Sequence, residues 1–151
     1  MGVKTAVIGL GIMGQRMLEH MGRHEGYDVV ALWDPSAEAC AAAAKLAPSA
    51  KVTDGPDAAI AAADLVYLAC PPEPRKTYAL AAASAGKAVF LEKPLGVDVA
   101  ESEDLVARLE AAGVPAAVNF TQAAGAALTD VSHAAKTGEM GDLVGVDVVL
   151  T

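Results

Sequence analysis

A doubly wound parallel α/β sheet is the fold this sequence predicts, on three observations. Apolar runs of strand length alternate with helical stretches from the amino terminus to about residue 137. The runs are continuously apolar, as in strands covered on both faces, and Gly, Pro, Asp or Ser punctuates the changes between them.

Taken in order, the strand KTAVIGL leads into a helix over 12–23, and DVVALW into a helix over 36–47. A short KVT precedes a helix over 56–62, and DLVYLAC one over 74–85. AVFLE is followed by a helix over 98–112, in which Asp98 with Glu101 has capping-box spacing and Gly113 with Pro115 ends the run. PAAVNF then leads into a helix over 123–137. The last stretch, DLVGVDVVLT, has a strand pattern at 142–151 with no helix after it. The expected organisation is a domain over 1–141 and, over 142–151, the first strand of an absent or truncated second domain. An uncovered apolar edge strand is shielded or recruits a partner, so the chain is expected to be a fragment or to form a homo-oligomer through this strand.

Composition narrows the function. The 151 residues suit one hydrophobic core, and 54% are hydrophobic but only 4% aromatic, with alanine heavily represented, which predicts small-residue helix packing. Eleven Lys and Arg against 19 Asp and Glu give a net charge of -8, which repels a phosphate backbone and excludes a nucleic-acid partner. No apolar stretch has the roughly 18–20 residues of a membrane span, and MGVKTAV enters a strand pattern directly, so a cytoplasmic protein without a membrane partner is expected. Cys40 lies in an alanine-rich helical run and Cys70 ends an apolar strand, which predicts two buried reduced thiols.

Gly9, Gly11 and Gly14 stand where the first strand becomes the first helix. Glycine there costs about 0.5–1 kcal/mol relative to Ala, so the backbone must require it. In a GxGxxG turn the first glycine permits the tight bend, the second lets the chain approach a pyrophosphate, and the third lets helix pack on strand. The anion sits on the helix amino end, here beside Ile12 and Met13. Asp34 follows the second strand at the place where an acid meets the adenosine ribose hydroxyls. Together these predict a Rossmann dinucleotide site. Asp34 would repel a 2′-phosphate by about 1–4 kcal/mol depending on exposure, and no Lys or Arg follows it before Lys45, so NAD is expected over NADP. Asp34 could instead cap the helix beginning PSAEACAAAA, where Ser36 competes for that role.

Glu92 and Lys93 fall at the carboxyl end of the fifth strand, the edge where open parallel sheets bind ligands, and Pro94 restricts Lys93 to an extended backbone. From position alone they could equally be a solvated surface pair. The glycine motif, the ACPPEPR loop, AAASAGKAVFLEKPLGVDVAESEDLVARLEAAG and TGEMGDLVGVDVV together resemble the glucose-fructose oxidoreductase and inositol dehydrogenase family (Gfo/Idh/MocA). The resemblance covers essentially the whole chain, and GKAVFLEKPLG is its specific part. It implies that Lys93 lies near nicotinamide and substrate and assists hydride and proton transfer, that Pro94 is cis, and that Glu92 lies close to the nicotinamide ribose. Cys70 and Pro71 of the ACPPEPR loop join the cofactor-binding set with Lys93 and Pro94.

The chain departs from the family at Arg75, where members often have His, and in NFTQAAGAAL, which lacks the usual Arg and Pro. The Asp and His that the family's second domain contributes have no counterpart here, and His133 is expected on a helix surface. His20 and His24 share a helix face without a third ligand, so no metal site is expected. The reading is therefore the cofactor half of an oxidoreductase acting on a hydroxyl or ketone of a sugar, polyol or similar small molecule. A non-catalytic dinucleotide sensor and a structural assembly protein are the other classes open at this point.

Overall fold

A computed structural model describes residues 2–121, 123, 125–142, 144–145 and 147. The elements are β1 (Val3–Ile8), α1 (Ile12–Met21), β2 (Tyr27–Trp33), α2 (Ala37–Leu46), β3 (Lys51–Val52), α3 (Pro56–Ala62), β4 (Leu65–Leu68), α4 (Pro72–Ser84), β5 (Ala88–Glu92), α5 (Val99–Ala112), β6 (Ala116–Asn119) and α6 (Ala126–Thr137). Each strand-helix pair expected from the sequence is present. The strand expected over 142–151 falls largely outside the described residues.

The strands form one parallel sheet in the order β3-β2-β1-β4-β5-β6. The chain winds outward from β1 to one edge and then from β4 to the other, which is the doubly wound arrangement. Contacts divide the chain into a unit Met1–Asn119, with the whole sheet and α1 to α5, and a unit Phe120–Thr151, with α6.

The core follows the pleat. Ala6 and Ile8 of β1, with Val66 and Leu68 of β4, pack on one face with Ile60, Ala79, Ala82, Leu105 and Leu109 from α3, α4 and α5. Val7 and Tyr67 pack on the other with Leu18 and Met21 of α1 and Cys40 and Ala43 of α2. Fully buried alanines at 43, 59, 79 and 82 let these helices lie close to the strands.

Helix ends have the local causes the sequence suggests. Ser36 accepts from the Ala39 N–H at 3.2 Å and caps α2, and Asp98 accepts from the Glu101 N–H at 2.9 Å and caps α5. Gly113 ends α5 in the left-handed region at φ 67°. Three helix boundaries differ from expectation by two residues or more, the first being that α1 ends at Met21 rather than 23, with Gly22 as its C-cap. Helix α4 starts at Pro72 rather than 74, because proline lacks only an N–H that the first turn leaves unpaired in any case. Helix α6 starts at Ala126 rather than 123, after Gly125 as its N-cap.

Candidate functional site

Outside the carboxyl ends of β1 and β4, where the winding reverses, lies a cleft of about 640 Å³ whose walls include Gly9, Gly11, Asp34, Cys70 and Lys93. Sheet order creates this cleft, since the crossovers leave β1 and β4 in opposite directions.

The glycine turn forms one wall. Gly9 has φ +93°, and a Cβ there would fall 2.3 Å from the Cys70 nitrogen. It is required because the turn leaving β1 passes against the backbone leaving β4. A Cβ on Gly14 would fall 2.0 Å from the Gly9 carbonyl oxygen, so the third glycine lets α1 rest on the turn itself. At Gly11 a Cβ would meet nothing within 4 Å, leaving space for a ligand to approach the main chain. Gln15 donates to the Leu10 carbonyl at 2.9 Å and pins the turn. No side chain caps α1 and no acid lies in its first turn, so the amide-rich end is free for an anion. Ile12 is exposed and Met13 half-buried at this end.

Asp34 lies half-buried in the cleft, beside the glycine turn. Ser36 is the cap of α2, so Asp34 has a different task. Its Oδ2 accepts from the Leu10 N–H at 2.7 Å and its Oδ1 from the Ser36 N–H at 2.8 Å. The carboxylate thus ties the end of β2 to the glycine turn, and each oxygen keeps a lone pair for ligand hydroxyls. Trp33 and Tyr78 meet edge-on in the same cleft, their rings 5.7 Å apart.

At the end of β5 the Glu-Lys-Pro turn divides inward from outward. Glu92 is buried: its Oε1 accepts from the Tyr67 O–H at 2.5 Å and from Asn119 Nδ2 at 2.6 Å, and its Oε2 from the Lys93 N–H at 3.2 Å. Its carboxylate is chiefly an internal acceptor joining β4, β5 and β6. Lys93 and Pro94 are exposed, and the bond between them is cis. Arg75, from the first turn of α4, is 2% exposed. It donates through Nη1 to the carbonyls of Glu92 and Pro94 and through Nη2 to that of Cys70 at 2.6 Å. Its Nε is buried without a partner. The sequence left open whether Arg75 meets substrate; in the structure it holds main-chain carbonyls. Pro71 is exposed beside buried Cys70.

Burial raises three groups in or behind this cleft, Tyr78 among them. The Tyr67 phenol lies well above the usual range, through burial first and then the hydrogen bond and charge of Glu92, so it remains a donor. Burial also pushes the Cys70 thiol up, against the opposing charge of Arg75. Both cysteines are free and buried.

No histidine is among the residues lining this cleft. His20 and His24 are exposed around the end of α1, where His24 Nδ1 accepts from the Gly26 N–H at 3.0 Å, and His133 is exposed on α6. Among the described residues no group of three or more His, Cys, Asp or Glu could hold a metal ion, and no helix is long and apolar enough to cross a membrane. Sequence reasoning missed Tyr67, Asn119 and the clamp made by Arg75. A polar side chain at or near the end of an apolar strand was the available signal for the first two.

Comparison with known proteins decides the family, because residues 3–120 match the model described as oxidoreductase family, NAD-binding Rossmann fold (GFO_IDH_MocA). The chain belongs to the Gfo/Idh/MocA family. It is 34% identical over 117 residues to an inositol 2-dehydrogenase of Cereibacter sphaeroides, covering 75% of this chain and 34% of that protein. An inositol 2-dehydrogenase of Paracoccus denitrificans is 36% identical over 119 residues, covering 75% of this chain and 35% of that protein. In fold, this Gfo/Idh/MocA chain is similar to a myo-inositol 2-dehydrogenase from Lactobacillus plantarum, with TM-score 0.86 at 20% identity, covering 95% of this chain and 44% of that one. It is also similar to a scyllo-inositol dehydrogenase from Lactobacillus casei solved with NAD(H) and scyllo-inositol, with TM-score 0.82 at 21% identity, covering 94% of this chain and 43% of that one. The chain thus spans about a third of the length of the curated relatives named here.

Proposed function

We propose that this chain is the cofactor-binding half of an NAD-dependent oxidoreductase that interconverts a hydroxyl and a ketone on a polyol, sugar or similar small molecule. The observation that carries the reading is the cleft between β1 and β4, with the glycine turn and Asp34 on one side and Lys93 at the other. Two inositol 2-dehydrogenases among its relatives supply the substrate class.

The uncapped end of α1 and the open space at Gly11 suit a diphosphate. Asp34, already oriented by two N–H groups, can accept from both adenosine ribose hydroxyls and would meet a 2′-phosphate with like charge. That favours NAD over NADP. When bound, the nicotinamide supplies the hydride acceptor or donor. Lys93, exposed at the cleft wall, holds or receives the substrate hydroxyl proton at Nζ. Glu92 serves this chemistry from behind, by holding the Lys93 amide.

Trp33 is the sole tryptophan and lines the cleft, so its emission reports cofactor binding. Titration should show NADH binding more tightly than NADPH, and turnover with inositols and related polyols should be sought in a protein extended through a second domain. Equal or tighter NADPH binding overturns the role of Asp34. NADH binding without turnover under any polyol leaves a dinucleotide-binding module, and no binding overturns the reading as a whole.

A further inference from the structure

We propose that Arg75 is a positioning residue for Lys93, acting through the backbone of the Glu92–Lys93–Pro94 turn; this rests on the role given to Lys93 above. The Arg75 guanidinium donates to the carbonyls of Glu92 and Pro94, which bracket Lys93 in the chain, and anchors the pair to the Cys70 carbonyl at the end of β4. Lys93 itself is exposed, so its side chain has little packing to fix its direction. That direction is inherited from the main chain on either side.

The chemistry of the clamp fits this task. A planar guanidinium offers several N–H groups in a rigid fork, whereas a lysine or histidine in its place could reach fewer of these carbonyls at once. Among the described residues the ion pairs join Lys76 to Glu101 and Asp104, and Arg108 to Asp104. The charge of Arg75 is therefore met by carbonyl oxygens. A buried cation without a paired carboxylate is costly, and its hydrogen bonds are all directed at the turn or its anchor. The Glu92 carboxylate grips the same turn from the other direction by accepting the Lys93 N–H.

The test reads Lys93 directly, by its rate of modification with an amine-directed reagent, followed by peptide mass spectrometry with and without NADH. Lys45 and Lys87 serve as internal controls. In the unsubstituted chain NADH should slow modification of Lys93 by about fivefold or more while its affinity is set by Trp33 titration. In Arg75→Lys and Arg75→Met, NADH affinity should stay within about threefold while protection of Lys93 falls below about twofold. Arg75→Lys keeps the buried charge and decides the matter if Arg75→Met does not fold. Undiminished protection of Lys93 in the folded variants overturns the proposal. So does a fall of affinity and protection by the same factor, which a merely structural role would give. Failure of the unsubstituted chain to bind NADH would instead overturn the cofactor reading on which the proposal stands.

Discussion

Gly14→Ala isolates the close packing of α1 on the glycine turn. In an ordinary helix interior this change stabilises, by about 1 kcal/mol, because alanine loses less backbone freedom. Here the added Cβ would lie 2.0 Å from the Gly9 carbonyl oxygen and 3.0 Å from its carbon. The obstructing atoms are main chain, held by the Gly9 N–H to Trp33 carbonyl bond at 3.0 Å and by the approach of Gly9 to Cys70, so they cannot swing aside. Overpacking of this kind costs about 1–3 kcal/mol, and a rigid obstacle belongs at the upper end. Repulsion wins, and the net loss is about 2 kcal/mol. At about 2–4 °C per kcal/mol for a chain of this length, the melting temperature should fall by about 4–8 °C. Moving α1 also displaces its open amide end, so NADH titration should show weaker binding. Gly11→Ala is the matched control: its Cβ meets nothing, so it should cost less than about 1 kcal/mol of stability yet still weaken NADH binding by filling the approach to the main chain. A Gly14→Ala protein more stable than the parent would refute the argument, because helix propensity would then have outweighed the contact.

Asp34→Ser should narrow the preference for NADH over NADPH, since it removes like-charge repulsion of about 1–4 kcal/mol; parallel fluorescence titrations check this, and an unchanged ratio contradicts the assignment. Tyr67→Phe should destabilise the fold by about 1.5–3 kcal/mol through loss of a buried hydrogen bond to a carboxylate, read by urea unfolding at pH 7. Alkaline stability should fall as well: above about pH 10 an unfolded tyrosine releases its proton while raised Tyr67 keeps it, so the unfolded state binds fewer protons and stability declines as pH rises. Cys70, also raised, contributes the same sign beginning at lower pH, so Tyr67→Phe should flatten only the steeper limb above about pH 10, and an unaltered slope there would contradict the assignment to Tyr67.

The sheet was readable because its signals are local. Continuous apolar runs, Gly113 after α5 and Asp98 before it act within a few residues of where they stand, and so do Gly9 and Gly14 at their turn. Asp34 was readable as a cleft residue, and sequence alone left its competition with Ser36 open until hydrogen bonds separated the two. The network around Glu92 was not readable. Tyr67 and Asn119 lie 25 and 27 positions away, and although a doubly wound sheet makes β4, β5 and β6 neighbours, nothing in either segment fixes the register that brings these side chains together. Arg75 was noticed only as a departure from a family pattern, because a guanidinium that binds carbonyls leaves no charge partner to search for in the sequence.

Strand register explains why the turn reads Glu-Lys rather than Lys-Glu. Tyr67 pairs with Phe90 across β4 and β5, and Glu92 pairs with Asn119 across β5 and β6. Alternation along β5 puts Phe90 and Glu92 on one face, which is the face carrying Tyr67, so Tyr67, Glu92 and Asn119 can converge. The next residue, Lys93, leaves the strand and is exposed. Reversing the order would direct an ammonium toward the Tyr67 hydroxyl and Asn119 amide, with no carboxylate among the partners that now hold Glu92, and would leave Arg75 still bound to the carbonyls nearby. Two buried cations would then share a region with no carboxylate among their hydrogen-bond partners, a cost of several kcal/mol per unpaired charge. The pleat thus constrains the chemistry: an outward lysine at this edge is compatible with the fold because the residue before it is an inward acid.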